Sequence, residues 1–363
     1  MSSLSDISVV LPSLDPDEKL LTVIDGLLEH GFTHIILVND GSKPEKLSYF
    51  ETAAQHPEVV LLHHDVNRGK GAALKTAFRW YMENCPQGAG VITVDGDNQH
   101  HGADTKACAL EMLKTDSLIL GVRDFSQPDV PFRSRTGNRI TSLVFKIFVG
   151  MNISDTQTGL RAIPIKYLPQ LTEISGDRFE YETNMLLAMK NLNIPFTEVK
   201  IRTVYIEENK SSHFRAVRDS WRIYKLILAH FFKFTANSLF SAVLDEGIFL
   251  LLSALLHPYL GGLALTAVST GIARVLSSLV NFYMNLKLVF HANVRPGKAL
   301  VRYFALAVPQ LLAQMLLTYG LTTLLGIGAH QTLLQGIIYA LVMTVLFIFS
   351  YMIQQRWVFA SKK

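Results

Sequence analysis

The chain has 363 residues, 49% of them hydrophobic, and a formal net charge of only +4. A balance this mild, without any basic run, argues against a nucleic-acid-binding tail and sends the search for the positive residues to phosphates or a membrane surface. The two cysteines, Cys85 and Cys108, lack metal-ligand spacing and read as buried thiols of a reducing compartment.

The average hides a split: nearly all Asp, Glu and Lys precede about residue 230, and apolar residues dominate from Phe231 onward, so two domains are expected. Met1 to Asp6 is polar and leads straight into a strand, leaving no apolar core for a signal peptide; the first domain is therefore expected in the cytoplasm. Strand-like runs at Ile7–Leu11, His34–Val38, Val59–His63, Val91–Val94 and Ser117–Leu120 alternate with helical patterns at Asp17–His30, Lys70–Glu83 and Asp104–Leu113. That rhythm predicts an α/β domain over residues 1–212, a mostly parallel, Rossmann-like sheet covered by helices.

Ligands of such sheets sit beyond the carboxyl ends of the strands. Four polar loops follow the first four strands there: Pro12 to Glu18, Asn39 to Ser42, Asn67 to Gly71 and Asp95 to Gln99. Any one of them reads as an ordinary turn; four in series on one edge point to a site. In the fourth, Asp95, Asp97 and Gln99 alternate along the chain and can face one hard cation, which would bridge diphosphate oxygens. In the third, the amides opening a helix, with Arg68 and Lys70, suit phosphate charge. These are the needs of a nucleoside diphosphate. Ile140–Met151 reads equally as a short surface helix or a buried one.

Residues 213–233 read as an amphipathic juxtamembrane helix, with Arg215, Arg218, Arg222 and Lys225 beside Val217, Trp221, Leu226 and Ile227, lying on anionic membrane lipids. Four apolar segments follow, at about 234–256, 263–286, 302–325 and 333–355, each long enough to cross a bilayer core. Lys287, Arg295, Lys298, Arg302, Arg356, Lys362 and Lys363 flank one side, whereas the connections 257–262 and 326–332 hold no Lys or Arg. Positive-inside bias then places both the N-terminal domain and the C-terminus of this multi-pass inner-membrane protein in the cytoplasm. Asn281 to Phe290 and Ser350 to Phe359 form a weak repeat, implying two helix hairpins of the same sense. Asp245, Glu246 and Arg274 fall near mid-span, where charge is costly unless paired; they read as a packing ion pair or as a polar path for a lipid head group. Gly261, Gly262, Gly320 and Gly336 permit close helix approach, including homo-oligomerisation.

With these motifs in view, residues 7 to about 228 resemble a family 2 glycosyltransferase of GT-A fold, near the dolichyl-phosphate mannose synthases and bacterial polyprenyl-phosphate glycosyltransferases. The segment from 234 to 363 resembles the four-helix GtrA-like membrane domain. The resemblance implies that Pro12, Leu14 and Asp40 hold base and ribose, with Asp17 replacing a Glu absent at Pro16. It implies further that Asp95, Asp97 and Gln99 bind Mg2+ or Mn2+. Asp155 to Arg161 is similar to the family's acceptor-side loop, and Arg123, Arg133, Arg135, Arg161, Ser212 and His213 match positions that receive a lipid phosphate. Asn39 departs from an Asp common in the family, and His213 from a Lys.

The implied activity is transfer of one sugar from a UDP- or GDP-sugar to a polyprenyl phosphate, with inversion. An ionised phosphate attacks directly when arginines hold it and a metal stabilises the leaving group. A hydroxyl acceptor, such as a diacylglycerol-type lipid, needs a base. Asp155 is the first candidate for that base, with Glu180 and Glu182 behind it, although Asp155 also suits a turn cap and Glu180 an ion pair. Two further readings are a membrane half that flips the glycolipid product and a pseudoenzyme that senses nucleotide sugar.

Overall fold

Seven short strands carry apolar side chains on both faces, so their sheet is stable only between two layers of helices. The computed structural model describes residues 3–127, 130–202, 216–290, 292, 294–327 and 331–360. Its strands are β1 (Ile7–Ser13), β2 (Ile35–Asp40), β3 (Val59–His64), β4 (Gly90–Thr93), β5 (Leu118–Arg123), β6 (Arg161–Pro164) and β7 (Phe196–Ile201). They form one sheet in the order β3-β2-β1-β4-β6-β5-β7. Only β6 runs antiparallel to its neighbours β4 and β5.

Side-chain alternation divides the core. Val10, Ile36, Val38, Val91 and Leu120 point to one face, covered by α3 (Lys70–Asn84), α6 (Leu168–Thr172) and α7 (Glu180–Asn191). Val9, Leu11, Ile35, Leu37 and Ile92 point to the other, covered by α1 (Lys19–Glu29), α2 (Leu47–Ala53) and α4 (Gly102–Thr115). Cys108 lies within this second core, where burial pushes its thiol up to about 12, and it is inert.

The expected strands and helices are present. Neither β6 nor β7 was expected: β6 is four residues long, opens on an arginine and ends on a proline, and β7 is a polar edge strand. The Ile140–Met151 segment satisfies both of its readings. Helix α5 (Phe132–Val144) and the wider π turn after it bury Phe145, Val149 and Met151 while leaving Phe132, Ile140 and Leu143 exposed.

The chain divides into two compact units, Met1–Ile227 and Leu228–Lys363. The division falls inside α8 (Ala216–Leu256), which runs unbroken past the boundary expected at residue 233. The reason is composition: no Pro or Gly interrupts the chain between Ala216 and Glu246. The helices α9 (Gly262–Met284), α10 (Pro296–Leu324) and α11 (Thr332–Ile353) follow. Four helical stretches of 27 to 30 residues are long and apolar enough to cross a membrane.

Neutral polar side chains run along the packing seam of this second unit. Asn237, Ser241 and Asp245 recur every fourth residue on α8 and meet α9: Asn237 Nδ2 donates to Asn285 Oδ1 (2.7 Å), Asn281 Nδ2 to Ser241 Oγ (2.9 Å) and Ser277 Oγ to Asp245 Oδ1 (2.8 Å). Asn285 Nδ2 also donates to Gln354 Oε1 (3.1 Å), and Tyr303 Oη to Asn281 Oδ1 (3.1 Å), so all four helices join. The sequence repeat has a structural counterpart. Both α9 and α11 end in a π turn, Asn285–Val289 and Gln354–Val358. Equivalent residues pair across the repeat: Asn285 bonds Gln354, and the rings of Phe290 and Phe359 stack at 5.1 Å.

Candidate functional site

The sheet order reverses at β1, whose neighbours β2 and β4 lead outward to opposite edges, and the site lies beyond the carboxyl ends at this switch point. The loop after β3 enters α3 through Gly69, whose φ of +103° is open to glycine and few others. Asp40, at the end of β2, holds that loop: Oδ1 accepts Arg68 N–H (3.0 Å), Oδ2 accepts Gly69 N–H (2.8 Å), and His64 Nδ1 lies 2.7 Å from Oδ1. Asp40 is only 3% exposed, with both oxygens engaged in fixing the amides of Arg68 and Gly69. His64, on Thr76 Oγ1 at 3.0 Å through its other nitrogen, completes this support and carries no motif signature. Pro12 and Leu14 are half-buried on the first loop, and exposed Asp17 accepts Lys19 N–H at the start of α1. Arg68 is exposed.

Asp95 follows β4. Lys70, the first residue of α3, places its Nζ 2.8 Å from Asp95 Oδ1 and 3.0 Å from Glu182 Oε1 on α7. Burial alone would raise the Asp95 carboxyl, but the Lys70 ammonium, helped by His100, holds it well below the usual carboxylate range. Burial likewise works against the Lys70 charge, and the two carboxylates more than offset it. Asp97 goes the other way: burial, and then the negative charge of Asp95, raise its carboxyl. The two aspartates therefore face a common space. Gln99 contributes its backbone N–H to Asp97 Oδ1 at 3.1 Å.

Two hard carboxylates in mutual repulsion suit a divalent Mg2+ or Mn2+. Among the described residues no three His, Cys, Asp or Glu side chains gather to hold a metal by themselves. Asp95 and Asp97 would supply protein oxygens, with phosphate and water completing the set, as is usual for Mg2+.

The segment before β6 reaches Asp95 because β6 is antiparallel: residues before it arrive at the carboxyl edge of β4. Gly159 lies so close that a Cβ there would fall 2.3 Å from Asp95 Oδ2. Asp155 is fully buried and bound to Arg123, whose Nε lies 2.7 Å from Oδ2 and whose Nη2 lies 3.1 Å from Oδ1; Gln157 N–H takes Oδ1 as well (3.0 Å). Both Asp155 oxygens accept hydrogen bonds and the side chain is shielded from solvent. Arg161, at 1% exposure, bonds the carbonyls of Thr158 (3.1 Å) and Glu182 (2.7 Å), which braces β6 against α7. Arg135 Nη2 donates to the Gln127 carbonyl at 2.8 Å. The Arg133 side chain, Ser212 and His213 lie outside the described residues. In the second unit Arg274 Nη2 pairs with Asp245 Oδ2 at 3.0 Å, and Glu246 is exposed.

Glu182 belongs to this constellation, and sequence reasoning ranked it only behind Asp155. The available signal was its place in the first turn of a helix, next to an aromatic residue, which does not reveal a lysine partner over a hundred positions away.

The profile described as Glycosyl transferase family 2 matches residues 8–198, more than half of the chain. The chain belongs to that family. Residues 233–359 match the GtrA/DPMS transmembrane domain, so this glycosyltransferase is also a membrane protein. It is similar to the UDP-N-acetylglucosamine–dolichyl-phosphate N-acetylglucosaminyltransferase of Methanococcus voltae, at 26% identity over 55% of this chain and 86% of the relative. The undecaprenyl-phosphate mannosyltransferase of Micrococcus luteus is 26% identical over 56% of this chain and 85% of its own length. Among solved structures, mannosyl-3-phosphoglycerate synthase from Rubrobacter xylanophilus aligns with a TM-score of 0.49 and 15% identity, covering 61% of this chain and 72% of that one.

Proposed function

We propose that this glycosyltransferase moves a single sugar from a nucleotide sugar to a polyprenyl phosphate at the cytoplasmic membrane face, with inversion at the anomeric carbon. The observation that carries the reading is the Asp155–Arg123 pair. The carboxylate that a hydroxyl acceptor would need as base is spent on fixing a guanidinium through its Nε and Nη2, and a positioned guanidinium charge is what an ionised phosphate needs. A phosphate oxygen forms the new bond to the anomeric carbon as the bond to the nucleoside diphosphate breaks, so no proton is transferred. Arg123 and Arg135 hold the acceptor in line, which converts a bimolecular encounter into an oriented attack. On the donor side the amides at the start of α3, with Arg68 and Lys70, receive the diphosphate. A divalent cation on Asp95 and Asp97, when bound, adds positive charge against the departing diphosphate.

Three observations support a lipid acceptor. Both relatives above are named for polyprenyl-phosphate acceptors. Helix α5, tied to the acceptor loop through Asn138 Nδ2 on the Ser154 carbonyl (2.6 Å), leaves Phe132 78% exposed, with Arg139, Ile140, Leu143 and Lys146 also exposed. That mixture suits the interface of a bilayer. The basic connection between α9 and α10 and the basic C-terminus favour the cytoplasmic side for the catalytic unit.

The test is a lipid-extraction assay on purified protein with labelled UDP- and GDP-sugars, polyprenyl phosphate and Mn2+ or Mg2+. Label enters the organic phase with wild type and metal, and Asp97→Ala abolishes it; no label with any donor sinks the proposal. Asp155→Asn then separates phosphate from hydroxyl acceptors. Its loss appears mainly in KM for the lipid, and kcat falls by less than the roughly 100- to 10,000-fold that removal of a general base costs.

A further inference from the structure

The backbone of Lys70 is fixed while its ammonium is not. Asp40 holds the two amides before it, Ala72 N–H bonds the Asp177 carbonyl at 3.0 Å, and a Cβ on Gly71 would meet Tyr181 Cβ at 2.5 Å. From this rigid start the four-carbon stem reaches into the site, and the ammonium lies between Asp95 and Glu182, at hydrogen-bonding distance from both. Asp95 is also one of the two carboxylates that would hold the divalent ion. One carboxylate oxygen does not serve an ammonium and a divalent ion at full strength together, because like charges at such separation repel strongly in a partly desolvated site.

We propose that Lys70, anchored on its other side by Glu182, is a resident counter-ion that competes with the divalent metal for Asp95, and that the donor's diphosphate draws it off, so that metal and nucleotide bind cooperatively. The inference rests on the nucleotide-sugar and metal reading above and adds a role for Lys70 and Glu182 to it. With the site empty, the ammonium neutralises two half-buried carboxylates. When a nucleoside diphosphate arrives at the start of α3, Lys70 acquires a second anion within reach of its stem, and the vacated oxygens become available to a metal. Binding linkage requires the converse: metal raises nucleotide affinity by the same factor. Metal alone binds weakly, which disfavours trapping of a cation in the empty site without its substrate.

Equilibrium Mn2+ binding tests this on the full-length protein in detergent, with free Mn2+ read from its paramagnetic resonance signal, alone and with UDP or GDP. Wild type should bind Mn2+ weakly alone and about tenfold or more tightly with nucleotide, within the usual range of coupling between sites. Lys70→Met should bind Mn2+ alone about tenfold more tightly than wild type and lose most of the nucleotide-dependent gain. Lys70→Gln keeps a hydrogen-bond donor for the carboxylates and should behave the same way, which guards against a folding defect in the methionine variant. If both variants keep the wild-type circular dichroism and bind Mn2+ alone no more tightly than wild type, the counter-ion role is wrong. If no chain binds Mn2+ in a manner that Asp97→Ala removes, with or without nucleotide, the metal reading fails and takes this inference with it.

Discussion

The two units bury polar groups in opposite ways. In the catalytic unit the polar groups are charged and crowded: half-buried Lys70 between Asp95 and Glu182, Asp97 beside a like charge, and buried Arg161 with one guanidinium nitrogen unpartnered among the described residues. In the membrane unit they are mainly neutral amides and hydroxyls that hydrogen-bond one another across helices, as Asn237, Asn285 and Gln354 do, with Asn237 Oδ1 left unpartnered among the described residues. Charge held under tension near a sheet edge can be rearranged by a ligand, whereas a seam of paired amides has no comparable imbalance for a ligand to relieve. Chemistry belongs to the first pattern, and helix register to the second.

The sharpest way to break this contrast is Arg123→Ala. It leaves Asp155 as a wholly buried carboxylate without its partner, and removal of one member of a buried pair costs about 3–5 kcal/mol. Transfer to the lipid phosphate should also fall about 100-fold or more, as for loss of a charge-stabilising donor. Chemical unfolding and the lipid-extraction assay measure the two effects separately. A variant that loses stability but keeps full activity would make Arg123 a structural residue only.

Acid and base titration sharpen the contrast next. The folded Asp95 carboxyl is depressed from its ordinary 3.8, so the pair's stabilisation is present above that pH and is lost as the pH falls through the folded value. Lys70 is raised from its ordinary 10.5, so its share is complete below that pH and is lost as the pH rises through its folded value. Asp97 has the reverse slope to Asp95: its carboxyl is raised, so its favourable neutral form is complete below 3.8 and is lost as the pH rises. Melting temperatures of wild type and Asp95→Asn should therefore differ most between about pH 4 and 10 and converge at lower pH. A gap that does not narrow as the pH falls below about 4 would mean that the Lys70–Asp95 ion pair contributes nothing to stability.

Much of this arrangement was legible in the sequence. The βα rhythm and the polar loops after the first four strands give the parallel part of the sheet and its ligand edge, and hydropathy gives the four spans. The antiparallel β6 was hidden because Arg161 and Pro164 are poor strand signals, and it is β6 that carries Gly159 against Asp95. Whether Asp40, Asp155 and Arg161 point at a ligand or hold the scaffold depends on which long-range partner each finds. Spacing identifies a carboxylate after a strand; it does not show that His64 and two backbone amides have already taken it.

The smallest effect concerns the neutral seam, and it tests whether the internal repeat is a packing device. Asn285 is fully buried and Gln354 nearly so, and they are equivalent positions of the two hairpins. Asn285→Leu strands the amide of Asn237 as well as that of Gln354, whereas the double variant Asn285→Leu with Gln354→Leu removes both ends of the shared bond. A double-mutant cycle should give a coupling of about 0.6 kcal/mol and no more than roughly 1.7 kcal/mol, because a polar group in the unfolded membrane state finds other partners. Unfolding in mixed micelles measures the coupling, and catalysis by the first unit should remain within about twofold of wild type, since the cycle perturbs neutral packing and no charged ligand site. A coupling near zero would leave the stacked pair Phe290 and Phe359 as the contact that joins the repeat. A large loss of transfer activity in the stable double variant would instead show that the amide seam acts on the substrate, and the division between charged chemistry and neutral register would fall.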